Sequence, residues 1–244
     1  MARKLYQFPI SHYCEKVRWA LDYKRLPYQK VNLLPGPHVR KVLSMAKRSS
    51  VPVLEDGGEL IQGSANIIDY LDQTYPDHAL TPSDPLMAAT ARQWEQRLDE
   101  VAGPAVRTFV YHYMLRYPSV IVPLLTAKQN PMIRVMFYAG YRKLANTMRG
   151  WMDINEASAH RAMDDMDKIL SELRQIYANT RYLVGNQFSR ADLAACALFA
   201  PLFQPNGYGL KWTGLEKAPP EMREWIDSHE GALSSIAMRY EQNR

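Results

Sequence analysis

Residues 5–21 read LYQFPISHYCEKVRWAL, and this stretch changes from a strand pattern to a helix pattern at Pro9. The apolar residues after the proline recur at spacings of three and four positions, as on one face of a helix. Ser11 stands at the junction, where its hydroxyl can cap the helix. The first amides of a helix lack backbone partners and the helix dipole adds partial positive charge, so this turn favours an anion, including a thiolate.

Cys14 lies in the first turn of the same predicted helix. A thiol at a helix N-terminus tends to have a lowered pKa, which makes this cysteine a candidate for redox or nucleophilic chemistry. The same residues also fit an ordinary helix cap followed by a small buried cysteine. The stretch by itself favours neither interpretation.

The composition, with 47% apolar and 23% charged residues among 244, is that of a soluble globular chain and excludes a disordered one. This length suits one large domain or two modest ones. The net charge of +5 suits an anionic small ligand, and no nucleic-acid partner is expected because such binding usually needs a concentrated basic stripe. No apolar run is long enough for a signal peptide or a membrane span, so we expect no integral membrane segment.

The two cysteines, Cys14 and Cys196, are too few for a disulfide framework and indicate a cytoplasmic location. The six histidines show no metal-ligand spacing, so we predict no metal site.

Up to residue 76, short strands alternate with helices in the order βαβαββα. A parallel βαβ unit followed by a hairpin and a helix predicts a small mixed sheet with helices on its faces. The last of these helices has Ser64 as its expected cap. The predicted strands are Lys4–Phe8, Tyr28–Leu33, Val51–Glu55 and Glu59–Ile61, and the predicted helices are Ser11–Tyr23, His38–Met45 and Ser64–Tyr75.

Residues 77–85 are rich in Pro, Asp and Ser and form a predicted linker, and residues 86–244 have a helical pattern. A Gly103-Pro104 step should kink the first long helix. Ser189 and Asp192 have capping-box spacing at the start of the most apolar helix, where we expect a purely structural role. The predicted helices are Leu86–Tyr113, Met132–Arg149, Glu156–Tyr177, Ser189–Phe203, Pro219–His229 and Gly231–Tyr240.

Four segments resemble the cytosolic glutathione transferases. They are SHYCEKVRWAL at 11–21, SSVPVLED at 49–56, GSANIIDYLD at 63–72 and YLVGNQFSRADLAACALF at 182–199. The resemblance implies an α/β thioredoxin-like N-terminal domain over residues 1–76 and an all-α C-terminal domain over residues 86–244.

The resemblance further implies that the chain uses glutathione as a co-substrate and joins its thiolate to a small hydrophobic electrophile, as in detoxification. Ser11 falls on the family position that activates the thiol, and Lys16 supplies the basic residue expected five positions later. Tyr6 is a rival, because some members use a tyrosine on the first strand. Cys14 stands where glutaredoxins carry their second cysteine, which leaves a glutathione-dependent thiol reductase as an alternative.

The resemblance places glutathione against Val51, Pro52, Gly63 and Ser64. It implies a cis bond before Pro52, which would let the Val51 backbone pair with an extended peptide, whereas the sequence alone fits a trans proline on an edge strand. Ser64 opens a helix whose N-terminus suits the γ-glutamyl carboxylate. Gly63 departs from the family, which usually carries Glu, Gln or Asp there, and a non-catalytic binding protein on the same fold is therefore a further alternative.

Residues 119–152 form an insertion with basic and aromatic residues, for which we weigh a lid or wall over the second-substrate site, a peripheral membrane contact and a solvated helix. Arg107 and Tyr111, late in the kinked helix, are candidates for the wall of a second-substrate pocket between the domains. We also expect a homodimer, because members of this family pair the N-terminal domain of one subunit with the C-terminal domain of the other.

Overall fold

The computed structural model describes residues 3–244, and its first part is a small sheet flanked by helices. The elements are β1 (Lys4–Gln7), α1 (His12–Tyr23), β2 (Gln29–Asn32), α2 (His38–Leu43), β3 (Val53–Asp56), β4 (Glu59–Gln62) and α3 (Ser64–Thr74). The strand order is β2-β1-β3-β4, with β1 parallel to β2 and antiparallel to β3, which forms a hairpin with β4. The predicted βαβαββα order and mixed sheet are confirmed.

The second part of the chain is helical. Its helices are α4 (Pro85–Arg97), α5 (Gly103–Met114), α6 (Pro118–Leu125), α7 (Pro131–Ala139), α8 (Tyr141–Trp151), α9 (Glu156–Asn179), α10 (Arg190–Phe203), α11 (Pro220–Ser228) and α12 (Glu230–Asn243). Helices α7 and α8 replace the single helix predicted over residues 132–149, because the chain breaks at Gly140, the C-cap of α7 and a poor helix former. Within residues 3–244, every helix is too short or too polar to cross a lipid bilayer.

A π-helical turn, Leu98–Ala102, joins α4 to α5 immediately before the Gly103-Pro104 step that was expected to kink this region. In a π-helix each N–H bonds to the carbonyl five residues earlier, and the Gly103 N–H bonds to the Leu98 carbonyl in this way. Pro104 has no N–H, so the next carbonyl in the series, that of Asp99, lacks its backbone donor. The Tyr13 hydroxyl of α1 donates to the Asp99 carbonyl instead, at 2.6 Å.

Helix α1 also contacts the helical part through an ion pair. Lys16 is fully buried, and its Nζ lies 2.9 Å from Glu95 Oε1 and 2.6 Å from Asp99 Oδ1. Helix α10 packs against α1. The capping box predicted at the start of α10 is confirmed, because the Asp192 carboxylate accepts the Ser189 N–H at 3.2 Å.

Candidate active site

A cavity of about 320 Å³ lies between the two parts of the chain, at the turn that joins β1 to α1. One wall comes from this turn and from the loop before β3, and the other comes mainly from α5 and α8. Helix α8 lies within residues 119–152, so part of that segment lines the cavity. The lining includes Ile10, Ser11, His12, Tyr13, Ser50, Val51, Arg107, Tyr111, Met148, Trp151 and Trp212.

Ser11 caps α1 and lines the cavity. Its Oγ accepts the Cys14 N–H at 3.3 Å, which confirms the predicted N-cap. Because the hydroxyl acts as an acceptor in this bond, its hydrogen remains available to donate. An anion in this corner of the cavity would therefore meet a hydroxyl donor and the positive end of a helix.

Cys14 is fully buried and lies outside the cavity lining. Burial raises the pKa of its thiol, and this effect exceeds the opposing influences of the Arg18 guanidinium, Ser11 and the Phe8 backbone. The expectation of a lowered pKa is therefore wrong. The helix dipole acts on Cys14, but removing the thiolate from water has the larger effect.

Tyr6 and Leu5 lie next to each other on β1 and point to opposite faces of the sheet. Leu5 enters the main core, whereas Tyr6 packs with Val42 and Val53 in a small separate cluster. The Tyr6 hydroxyl donates to Glu55 Oε2 at 2.7 Å, and this hydrogen bond, with burial, raises the pKa of Tyr6 to about 12. The rival hydroxyl therefore lies outside the cavity lining.

The loop before β3 carries a cis bond between Val51 and Pro52, as the resemblance implies. Val51 and Ser50 line the cavity. The Gln62 amide, at the end of β4, donates to the Ser50 carbonyl at 2.8 Å and to the Arg48 carbonyl at 2.6 Å. This role of Gln62 is not predicted from the sequence, because no local pattern indicates which loop the side chain reaches.

Gly63 and Ser64 follow at the start of α3. Gly63 is the N-cap, with a φ of 96°, and its N–H donates to the Pro52 carbonyl at 3.0 Å. The prediction of Ser64 as the cap is wrong, because Ser64 is the first helical residue and no side chain caps this end. The left-handed backbone that glycine adopts at no steric cost turns the chain into α3 one residue earlier than predicted. Ser64 is buried and lies outside the cavity lining.

Arg107 and Tyr111 of α5 line the cavity, together with His12 and Tyr13 from the start of α1. The His12 Nε2 and Arg107 Nε atoms are buried and have no hydrogen-bond partner among residues 3–244. Burial, and then the Arg107 charge, lower the pKa of His12 to about 3, so the imidazole is neutral at neutral pH. Burial raises the pKa of Tyr111 to about 12, which keeps its hydroxyl protonated.

Sequence analysis also missed His12, Tyr13 and His38 as lining residues. His12 and Tyr13 directly follow Ser11 in the chain, and this proximity was the available signal. The His38 Nδ1 accepts the Gly36 N–H at 3.1 Å, which places the hydrogen of the neutral ring on Nε2. A helix as short as α2 carries no local signal that His38 lines the cavity.

Comparison with known proteins matches both parts of the chain to one family. The family profile described as "Glutathione S-transferase, N-terminal domain" matches residues 5–79. The profile described as "Glutathione S-transferase, C-terminal domain" matches residues 112–228. Together the two matches cover most of the chain.

Individual relatives match to different extents. A glutathione S-transferase of Pseudomonas putida is 36% identical over 90 residues, which are 37% of this chain and 40% of that protein. A probable glutathione S-transferase of Nicotiana tabacum is 26% identical over 230 residues, which are 93% of this chain and 82% of that protein. The crystal structure of a glutathione S-transferase from Methylobacterium radiotolerans, in complex with glutathione sulfonate, shares the fold with a TM-score of 0.64 and 23% identity, covering 99% of this chain and 91% of that chain.

Proposed function

Because the chain belongs to the glutathione transferase family, we propose that it joins the thiolate of glutathione to a hydrophobic electrophile. Membership of the family supports glutathione transferase activity in general. The observation that carries the finer proposal is the Ser11 hydroxyl, which is held at the N-terminus of α1 on the wall of a largely apolar cavity. The glutathione sulfonate bound to the Methylobacterium radiotolerans relative supports glutathione as the co-substrate.

Ser11 acts on the ionisation of glutathione. A free thiol has a pKa of about 8.5 and is mostly protonated at neutral pH, whereas the thiolate is the nucleophile. The Ser11 hydroxyl donates to the sulfur and the helix N-terminus adds partial positive charge, so the thiol loses its proton to solvent more readily. One pKa unit corresponds to about 1.4 kcal/mol, which a single charge-assisted hydrogen bond can supply.

The thiolate then attacks the second substrate in the cavity. The sulfur forms a bond to the electrophilic carbon, and from an aryl halide the halide leaves with the bonding electron pair. The sulfur, the electrophile and Ser11 are held in one enclosed space, which favours reaction by orientation.

The rest of glutathione lies along Val51 and towards the start of α3 in this proposal. The Gly63 N–H bonds to the Pro52 carbonyl and so joins the two segments that would hold the tripeptide. The first amides of α3 suit the γ-glutamyl carboxylate at Gly63 and Ser64. With glycine at position 63, no carboxylate from this position meets the glutathione amine, so we expect weaker binding than in members that carry an acid there.

The thiol reductase alternative depends on Cys14, and two observations argue against it. The side chain is fully buried, and burial raises the pKa of its thiol. The thiolate needed to attack a disulfide is therefore disfavoured and out of reach. Ser11 cannot replace it, because a hydroxyl forms no mixed disulfide.

The proposed role of Ser11 is tested with Ser11→Ala in the conjugation of glutathione to 1-chloro-2,4-dinitrobenzene. We expect kcat/KM to fall about tenfold to a hundredfold, because one hydrogen bond to a charged group is lost. Ser11→Thr keeps the hydroxyl and should retain most of the activity. Ser44→Ala removes an exposed hydroxyl outside the cavity lining and serves as the matched control.

Two outcomes would contradict the proposal. An unchanged rate in Ser11→Ala would show that this hydroxyl does not activate the thiol of glutathione. No heat on titrating the wild-type chain with millimolar glutathione in a calorimeter would favour the non-catalytic binding protein. Because Ser11 also caps α1, thermal unfolding is measured in parallel, with an expected cost of about 1 kcal/mol.

A further inference from the structure

Arg107 is a cation without a partner on the cavity wall. It lines the cavity from α5, and no Asp or Glu within residues 3–244 lines the same space. Its buried Nε has no hydrogen-bond partner in this part of the chain. A guanidinium N–H can only donate, so the missing partner is a hydrogen-bond acceptor.

The polar groups around Arg107 do not neutralise its charge. The positive charge of Arg107 favours a lower pKa for three neighbouring side chains, His12, Tyr13 and Tyr111. Burial has the larger effect on all three pKa values and keeps each side chain neutral at pH 7. The cation therefore has no anionic neighbour in the cavity.

The remaining lining is aromatic and aliphatic and suits an apolar ring. Trp151 and Trp212 present indole rings, and Val110, Leu144 and Met148 contribute aliphatic side chains. Such a wall binds the body of a hydrophobic molecule, and a few well-placed polar groups fix its orientation.

We propose that the second substrate is an apolar, preferably aromatic, electrophile that bears an anionic group such as a carboxylate, and that Arg107 binds this group. The inference rests on the proposed function for the reaction and adds the substrate class. A cation in an apolar site is costly without a counter-charge, and an entering anion supplies one. The planar guanidinium matches a carboxylate through two parallel hydrogen bonds.

A matched pair of electrophiles tests the inference. 4-Chloro-3,5-dinitrobenzoate and its methyl ester share the reacting carbon and the leaving chloride and differ in charge. In Arg107→Gln we expect kcat/KM for the carboxylate to fall about tenfold to a hundredfold, and that for the ester to change by less than about threefold. Arg116→Gln, which removes an exposed arginine just beyond α5 and outside the lining, should leave both values unchanged. Equal losses on both substrates, or no loss on the carboxylate, would overturn the inference.

Binding without turnover separates this inference from the proposed function. The probes are 1-anilinonaphthalene-8-sulfonate and its neutral analogue N-phenyl-1-naphthylamine, each followed by fluorescence. We expect Arg107→Gln to weaken sulfonate binding about tenfold and to leave the neutral probe nearly unaffected. Arg107→Lys keeps the charge and should recover part of the sulfonate affinity, which excludes misfolding as the cause.

Failure of the proposed function and failure of the anion site give different results. A wild-type chain that conjugates neither electrophile, while Arg107→Gln still weakens only the sulfonate, would retain the anion site and lose the proposed function. Equal weakening of both probes, or of neither, would overturn the anion site whatever the conjugation activity.

Discussion

His12 is a buried imidazole on the cavity wall, next to the Ser11 cap. Burial, and then the charge of Arg107, lower its pKa to about 3, compared with about 6.5 in an unfolded chain. Between these two pH values the unfolded state binds a proton that the folded state does not. The folded state therefore loses stability as the pH falls from 6.5 towards 3.

Replacing His12 should flatten this part of the pH dependence. Between pH 7.5 and pH 5.0 we expect the unfolding free energy of the wild-type chain to fall by about 2 kcal/mol more than that of His12→Gln. Urea unfolding at the two pH values gives the comparison, and other titrating groups cancel in the difference. His160→Gln, at an exposed position of α9, is the control and should behave as wild type. Parallel pH dependences for His12→Gln and wild type would show that the imidazole is not held neutral.

One close contact between helix α1 and the π-helical turn is made by Tyr13. The Tyr13 hydroxyl passes over Gly103 to reach the Asp99 carbonyl at 2.6 Å. A Cβ at residue 103 would lie 2.2 Å from Tyr13 Oη and 2.6 Å from its Cζ. Glycine at this position is therefore required by the approach of the two helices.

Gly103→Ala should destabilise the protein by about 1 to 3 kcal/mol, because the added methyl group displaces the Tyr13 ring and its hydrogen bond. Gly150→Ala in α8 is the matched control, since a Cβ there meets nothing within 4 Å. It should be neutral or stabilising by up to about 1 kcal/mol. Urea unfolding measures both effects.

Combining Gly103→Ala with Tyr13→Leu should cost less than the sum of the single substitutions, because the clash disappears with the ring. Additive costs would show that Gly103 serves another purpose.

Across the whole molecule, two buried polar clusters hold the sheet-bearing part against the helical part through α1. Lys16 forms one cluster with Glu95 and Asp99. In the other, Glu15 accepts the Tyr240 hydroxyl at 2.6 Å and the Arg244 Nε at 2.8 Å. Because Ser11 is the N-cap of α1, the same contacts hold the proposed thiol-activating hydroxyl relative to α5.

Lys16→Met tests the first cluster. We expect a loss of about 3 kcal/mol in the unfolding free energy, because the partly buried Asp99 loses its nearest cation. Burial already raises the pKa of Asp99 and Lys16 opposes this effect, so the folded pKa rises further in the variant. The variant's folded state then keeps a proton that its unfolded state releases above about pH 4. The deficit relative to wild type should therefore grow as the pH rises above the pKa of Asp99 in the folded wild-type protein.

Lys4→Met is the control for this charge effect. Lys4 pairs with Glu55 at a partly exposed site, and such pairs contribute less than about 1 kcal/mol. A Lys16→Met deficit as small as that of Lys4→Met, or one independent of pH, would show that the buried pair does not hold the two parts together.

Features that depend on neighbouring residues could be predicted. The βαβαββα order follows from apolar periods and turn residues, and the Ser11 cap and the capping box at Ser189 follow from spacings of three residues. The helix end at Gly140 and the cap at Gly63 depended on local backbone geometry that the residue types did not settle in advance.

By itself, the sequence determined the order of the elements up to residue 76, the strand-to-helix turn with its hydroxyl, and the family, because these rest on periodicity and motifs within short segments. Only the tertiary structure decided that Cys14 is desolvated, that Tyr6 lies outside the cavity lining and that no Asp or Glu within residues 3–244 lines the cavity beside Arg107. Burial and charge pairing depend on residues far apart in the chain, as with Lys16 and Asp99, which are 83 positions apart and joined by hydrogen bonds. A local pattern shows which side chains are present. The packing of distant elements decides how far each side chain is exposed to solvent and which charges lie near it.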